Sequence, residues 1–298
     1  MSEAKPGTAA HARRQLAFPV LFVLLWSTGF IAAKYGLPYA PPLTFLLYRF
    51  AFVAALMTVV ALATGATWPR GAGQIGHVAV AAWLVHGTYL GGVFLSVAAG
   101  MPAGISAMLV GLQPILTALI ARAWLGERVV PRQWFGLVLG LVGVWLVVRG
   151  KTSFSGDLSL MLPSAIALVG ISVGTLYQKR YCSRIDMRSG AAIQFSACAL
   201  VYLPLVLLFE GAPVRWTHEF LFAIGWSVVV LSVGAISLLY WLLRHDAASS
   251  VARLFYLVPP VTAVMAWSIF GETLDATAIA GMALIAVAVA LARPSGDR

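Results

Sequence analysis

The chain has 298 residues, of which 61% are hydrophobic and only 10% are charged. A soluble domain cannot bury so much apolar surface, so the composition predicts an all-α integral membrane protein with the lipid bilayer as its solvent. The net charge of +10 does not predict a nucleic-acid partner, because most Lys and Arg residues lie in short loops, where membrane proteins commonly place them. The two cysteines indicate neither a disulfide framework nor a metal site.

Ten apolar segments separated by turn residues predict ten transmembrane helices. Their predicted bounds are Leu16–Tyr35, Leu43–Ala63, Gln74–Ala98, Ala103–Leu125, Gln133–Val148, Leu158–Gln178, Ser189–Phe209, Glu219–Leu243, Ala247–Phe270 and Thr277–Ala292. Residues 1–15 and 293–298 are predicted tails. The first apolar run continues for about 20 residues, which is too long for a typical signal peptide and predicts an uncleaved helix.

The chain contains an internal repeat with an offset of 145 positions. Over Ala103–Gly136, 11 of 34 residues are identical to Ala248–Gly281, where composition alone would give about a tenth. The same offset pairs Ser27 with Ser172. We therefore predict two five-helix repeats, residues 16–149 and 158–292. Five is odd, so the second repeat must cross the membrane in the opposite direction, as in secondary transporters that bind substrate between such halves.

The positive residues predict the orientation of the helices. With the N-terminus inside, 14 of the 20 Lys and Arg residues fall on the cytoplasmic side and four on the outer side. The positive-inside rule then places both termini in the cytoplasm, and the predicted location is the cell inner membrane.

The chain contains the stretches WSTGFIAAKYGL, PPLTFLLYRF, the Gly126-Glu127 end of the fourth helix and LFYLVPPVTAVMAWSIFGE. In their order and spacing, these stretches resemble the drug/metabolite transporter superfamily, in particular its EamA-type branch. The resemblance implies a 5+5 inverted-repeat exporter of small metabolites, often amino acids. Arg253 departs from it, since a small or polar residue is expected there.

Polar groups within apolar helices are candidates for substrate contact, because they are expensive in hydrocarbon. Arg49 could bind a substrate carboxylate or form a gate, or it could be structural and snorkel outward. Arg253 offers the same alternatives, with snorkelling toward the cytoplasm. His86, with Tyr89 at i+3, could bind substrate, relay protons or bond a neighbouring helix. The predicted substrate-binding or gating residues are Trp26, Arg49, His86, Tyr89, Gln113, Tyr240, Arg253 and Tyr256.

For the remaining aromatic residues and Gln113, the alternatives are interfacial belts, lipid-facing packing or bridges between helices. Pro114 and the repeat-equivalent Pro259, followed by Pro260, predict broken helices that line the path, because proline frees a backbone carbonyl. A harmless kink is the alternative. The Gly-Glu turns, Gly126-Glu127 and Gly271-Glu272, are predicted to be structural caps rather than coupling carboxylates.

None of the ten acidic residues lies deep in a predicted helix. A cationic-drug exporter would usually need a buried carboxylate, whereas buried Arg suits an anionic group. The predicted function is alternating-access export of small polar metabolites, amino acids or related carboxylates first among them. Uptake or exchange of organic anions and multidrug efflux remain alternatives. A membrane enzyme is disfavoured because catalytic and metal-binding motifs are missing from the sequence. No cofactor is predicted, and a monomer would suffice because both halves lie on one chain.

Overall fold

A computed structural model describes residues 6–125, 131–150, 158–245, 254–255, 257–273 and 275–291. It confirms the all-α fold. The helices, numbered by their place in the predicted order, are α1 Pro6–Gly36, α2 Pro42–Ala63, α3 Ala72–Ala98, α4 Ala103–Val110 with Gln113–Leu125, α5 Pro131–Gly150, α6 Leu158–Tyr181, α7 Met187–Phe209, α8 His218–Gly225 with Trp226–Ala235 and Ile236–His245, α9 Val258–Phe270 and α10 Ala276–Leu291. The predicted start of α9 at Ala247 lies outside the described residues.

Seven of these helices are long and apolar enough to cross a membrane, and α5, α9 and α10 contain shorter apolar stretches. The first helix begins ten residues earlier than predicted, at Pro6 rather than Leu16. Its membrane-length apolar part is Ala17–Gly36. The additional turns are polar and escape a hydropathy criterion, which explains the difference.

The helix ends lie at two opposite ends of the molecule. We call the end with residues 37–41, 99–102, 210–217 and 271–273 the upper end, and the end with residues 64–71 and 182–186 the lower end. Hydrogen bonds join the upper loops, since the Arg215 N–H donates to the Tyr39 carbonyl over 2.9 Å. At the lower end, the Ser189 hydroxyl donates to the Thr67 carbonyl over 2.6 Å.

Repeat-equivalent helices run antiparallel to each other, which is the signature of an inverted repeat. At the start of α5, Arg132 donates to the Leu291 carbonyl at the end of α10. At the start of α2, the Leu43 N–H donates to Glu210 at the end of α7 over 2.8 Å. The fold therefore has the predicted inverted architecture.

Glycines allow the helices of different repeats to approach closely. A Cβ at Gly92 in α3 would overlap the Pro163 carbonyl of α6 and contact Ala167. A Cβ at Gly143 in α5 would press on Gly281 of α10, with its carbonyl oxygen at 2.9 Å. Small residues at helix interfaces are the usual basis of packing in membranes, where the hydrophobic effect gives little drive for helix association.

Two alanine substitutions in α3 test this packing. Gly92→Ala is expected to destabilise the protein by roughly 1–3 kcal/mol, because the new methyl group has no room. Gly76→Ala is the matched control, since no atom lies within 4 Å of its Cβ position, and it should be neutral or slightly stabilising. Thermal unfolding in detergent measures both. Equal midpoints for the two variants would contradict the packing.

Candidate functional site

A central cavity lies between the two repeats. Helices α1, α3, α4, α6 and α9 line it, and the side chains used below are Trp26, Phe30, Tyr89, Gln113, Phe255 and Val258. Its empty space is about 290 Å³, including the part open to solvent, but only about 10 Å³ of this admits the centre of a water molecule. That is room for about one water, so a metabolite can enter only if the helices move apart.

The predicted site residues divide into three groups. Trp26, Tyr89 and Gln113 line the cavity, whereas Arg49 and His86 are buried behind it. Arg253, Tyr256, Gly126 and Glu127 lie outside the described residues, and so does the side chain of Tyr240.

Arg49 lies at the centre of a polar network. It is 5% exposed, and its Nε and Nη2 each lie 3.2 Å from the Ser232 hydroxyl oxygen of α8, to which they donate. The Ser232 hydroxyl in turn donates to the Ser227 carbonyl over 3.0 Å. The Tyr89 ring, which lines the cavity together with Trp26, lies near Arg49. Arg49 therefore does not snorkel, and Tyr89 is the cavity residue near it.

Within the described part of the chain, no carboxylate neutralises Arg49. The acidic residues there all lie at or next to helix ends: Asp186, Glu210, Glu219, Glu272 and Asp275. Asp186 pairs with Arg188, Glu210 accepts from the first turn of α2, and Asp275 accepts from the first turn of α10. A buried cation without a counterion is costly, so this charge needs a reason in the function.

Two π-helical segments flank the network, and the sequence analysis missed both. They are Trp83–Thr88 in α3 and Trp226–Ala235 in α8. The repeat offset places the first within the second. A polar side chain of the other repeat contacts each segment. Arg49 of α2 binds Ser232 in the π segment of α8. Gln194 of α7 lies 3.2 Å from His86 Nε2 in the π segment of α3. Arg49 and Gln194 are themselves repeat partners. Such segments are frequent at functional sites.

Further side chains of α7 complete the polar contacts of the π segment in α3. The Tyr202 hydroxyl donates to the Gly87 carbonyl over 2.8 Å, and the Cys198 thiol lies 3.4 Å from the Ala82 carbonyl. The His86 ring stacks on Phe195 with centroids 4.5 Å apart. In this conformation His86 bonds a neighbouring helix, which is one of the three alternatives that the sequence left open for it.

Helix α4 is interrupted at Gly111–Leu112, just before Pro114. The equivalent part of α9 begins at Val258, with Pro259 and Pro260 in its first turn. A Cβ on Gly111 would overlap the Pro259 ring, so the two irregular segments pack against each other and border the cavity.

Serine hydroxyls from the opposite repeat reach the backbone at both interruptions. Ser27 of α1 lies 3.4 Å from the Val258 carbonyl, and Ser172 of α6 lies 3.5 Å from the Gln113 carbonyl. Both the serines and the carbonyls are related by the repeat offset. The pairing of Ser27 with Ser172 was visible in the sequence, but their role was not.

The Gly271-Glu272 turn ends α9 at the upper end. Gly271 has φ +65°, a left-handed conformation that favours glycine at a helix C-terminus. Glu272 accepts from Lys34 over 2.7 Å and from the Ala103 N–H at the start of α4 over 3.1 Å. This geometry ties α1, α4 and α9 together, as a structural cap does.

Tyr202→Phe tests the support of the π segment in α3. It should destabilise the protein by about 1–3 kcal/mol, because the buried Gly87 carbonyl loses its hydroxyl donor. Tyr35→Phe is the matched control, since Tyr35 is exposed at 37%. The comparison is made by thermal unfolding. A Tyr202→Phe midpoint equal to that of the control would show that this hydrogen bond does not hold the segment.

Comparison with known proteins agrees with this architecture. The EamA-like transporter family model matches residues 15–149 and again residues 158–293. An uncharacterized transporter of Bacillus subtilis is 27% identical over 90% of this chain and 88% of its own length. A probable amino-acid metabolite efflux pump of Salmonella typhimurium is 26% identical, covering 92% of this chain and 93% of its own.

A probable terminal-alkyne amino-acid exporter of Streptantibioticus cattleyicolor is 27% identical over 89% of this chain and 88% of its own length. A solved crystal structure has the same fold, with a TM-score of 0.68 at 19% identity, covering 93% of this chain and 95% of that one. The EamA domain is thus present twice, and this chain belongs to the EamA-like transporter family as a multi-pass membrane transporter rather than an enzyme.

Proposed function

We propose that this transporter exports small carboxylates, with amino acids as the leading substrate class. The observation that carries the proposal is the buried charge of Arg49 beside the central cavity, without a carboxylate partner among the described residues. A guanidinium recognises a carboxylate through two parallel hydrogen bonds. A substrate anion would therefore supply the counterion that the described residues do not provide.

Of Tyr89 and Arg49, Tyr89 would be the first to contact the substrate, because its ring borders the cavity beside Trp26, whereas Arg49 lies near Tyr89 but does not line the cavity. A carboxylate entering beside Trp26 would contact Tyr89 first. It would reach Arg49 either after the Tyr89 side chain moves away or while it contacts both residues. The charge pair would then form away from water, where electrostatic interactions are strong.

The cavity lining refines the predicted substrate. The sequence predicts a polar metabolite, but Trp26, Phe30, Phe255 and Val258 make most of the described wall apolar. An amphipathic carboxylate, such as an amino acid with an apolar side chain, would place its carboxylate toward Arg49 and its apolar part against these residues. The names of two relatives, an amino-acid metabolite efflux pump and an amino-acid exporter, agree with this substrate class and with export.

Alternating access would occur around this cavity in the inner membrane, with both termini in the cytoplasm. Supporting features are the location of the cavity between inverted repeats and the interruption of α4 at Gly111–Leu112 beside it. Irregular segments of this kind bend more easily than a continuous helix.

Exchange of organic anions is the second candidate, because the same guanidinium would bind any carboxylate. Efflux of cationic drugs has less support, since the acidic residues that the structure describes all lie at or next to helix ends.

Thermal stabilisation of the purified protein tests the proposal. A ligand that binds only the folded state raises the unfolding free energy by about 2.7 kcal/mol at a hundred times its Kd, which corresponds to several degrees. We expect such a shift with apolar amino acids and none with their methyl esters. Arg49→Met should abolish the shift, whereas Lys34→Met, which removes a positive charge at the upper end, should retain it.

Shifts confined to cationic drugs would contradict the proposal. So would an undiminished shift with amino acids in Arg49→Met, because the carboxylate would then bind elsewhere.

A further inference from the structure

A reciprocal pair of hydrogen bonds joins α1 to α9 across the repeat interface. The hydroxyl of Ser27 lies 3.4 Å from the Val258 carbonyl, and the hydroxyl of Thr262 donates back to the Ser27 carbonyl over 3.5 Å. Thr262 is four residues after Val258, one helical turn further along α9. We call this arrangement of Ser27, Val258 and Thr262 the α1–α9 clamp.

The equivalent arrangement between α6 and α4 is only half formed. The hydroxyl of Ser172 lies 3.5 Å from the Gln113 carbonyl, as the repeat offset requires. Thr117 occupies the position of Thr262, but its buried hydroxyl has no hydrogen-bond partner among the residues described. We call Ser172, Gln113 and Thr117 the α6–α4 clamp. An unpaired buried hydroxyl is uncommon in folded proteins.

Both clamps connect one repeat to the other. In an inverted-repeat transporter, the two access states are related by exchange of the conformations of the two repeats. The clamp that is complete in one state is then expected to be half open in the other state, and the clamp that is half open is expected to become complete. The unpaired Thr117 hydroxyl marks the contact that is open in this conformation.

We infer that the two clamps alternate during transport. In the opposite access state, the Thr117 hydroxyl donates to the Ser172 carbonyl, and Thr262 releases the Ser27 carbonyl. Thr117 and Thr262 are thus positioning residues that bias the equilibrium between the two states. They do this whatever the substrate, so the inference does not depend on the carboxylate proposal.

The lengths of these bonds suit an exchange. At 3.4 and 3.5 Å they are at the weak end of hydrogen-bond geometry, so each can be broken at little expense. The single proton of the Ser27 hydroxyl is donated mainly to the Val23 carbonyl within α1, at 2.7 Å, and the Val258 carbonyl at 3.4 Å is the weaker of its two acceptors. The hydroxyl therefore remains satisfied when the contact to Val258 opens.

The population of the two states can be measured with a pair of spin labels across the upper end. Ala99 and Ala212 are exposed and lie in upper loops of different repeats. Cysteines are introduced at both positions after Cys182 and Cys198 are replaced by alanine. The distance distribution then gives the ratio of the state described here to the opposite state.

Threonine-to-valine substitutions keep the side-chain volume and remove the hydroxyl. Thr262→Val should lower the ratio by about two- to tenfold, because it removes a bond that exists in this state. Thr117→Val should raise the ratio by a similar factor, because it removes a bond formed only in the other state. Thr262→Ser and Thr117→Ser, which keep the hydroxyl, should restore the ratio of the parent protein.

A merely structural role would move both valine variants in the same direction or leave the distributions unchanged, and either result would overturn the inference. If Thr262→Val does not fold, Thr117→Val still decides. It should raise both the ratio and the unfolding temperature, since it also removes an unpaired buried hydroxyl, and a fall in the ratio would contradict the clamp exchange.

Discussion

A bilayer offers no water to a backbone polar group, and this constraint organises the whole molecule. In the part of the chain that the structure describes, four segments depart from regular α-helix: the two π segments and the interruptions in α4 and at the start of α9. Each is reached by a polar side chain of the other repeat. Ser27 and Arg49 of the first repeat form hydrogen bonds with irregular segments of the second. Ser172 and Tyr202 of the second repeat do the same for the first.

Irregular backbone therefore lies at the interface between the repeats, where protein can satisfy it. The same interface holds the central cavity, so the most deformable parts of the helices surround the substrate path. Motion of one repeat against the other must exchange these contacts rather than simply lose them, because an abandoned carbonyl would be left in hydrocarbon. Inverted symmetry supplies equivalent partners for the serine contacts, since the contact of Ser27 with Val258 and that of Ser172 with Gln113 are related by the repeat offset.

Arg49 is a polar group whose partner from the other repeat satisfies it only in part. The hydroxyl of Ser232 satisfies part of its hydrogen-bonding capacity but not its charge. Its repeat partner, Gln194, is neutral and binds His86. The pseudo-symmetry is thus broken at a buried cation near Tyr89 of the cavity wall. In the proposed function, this asymmetry is what selects carboxylate substrates.

The sequence predicts the scaffold well and the site only in part. Hydropathy is sufficient to predict the helices, because a membrane-spanning segment is recognised by its composition. The repeat offset and the odd number of helices in each repeat are then sufficient to predict the inversion. Gln113 and Trp26 were placed at the cavity by their polarity or size within a helix. The π segments left no such signal, since widening a helix changes the hydrogen-bond pattern without changing residue types. For Arg49, sequence left burial and snorkelling open, because the outcome depends on whether Ser232 of a distant helix lies within reach.

Flux into proteoliposomes tests the central claim most directly. Protein is reconstituted, and entry of a radiolabelled apolar amino acid is followed with the parent protein and with Arg49→Met of equal unfolding temperature. The account predicts saturable flux in the parent, competition by other carboxylates but not by methyl esters, and flux near the protein-free background in the variant. Saturable flux that is undiminished in Arg49→Met, or folded parent protein that moves no carboxylate, would contradict it.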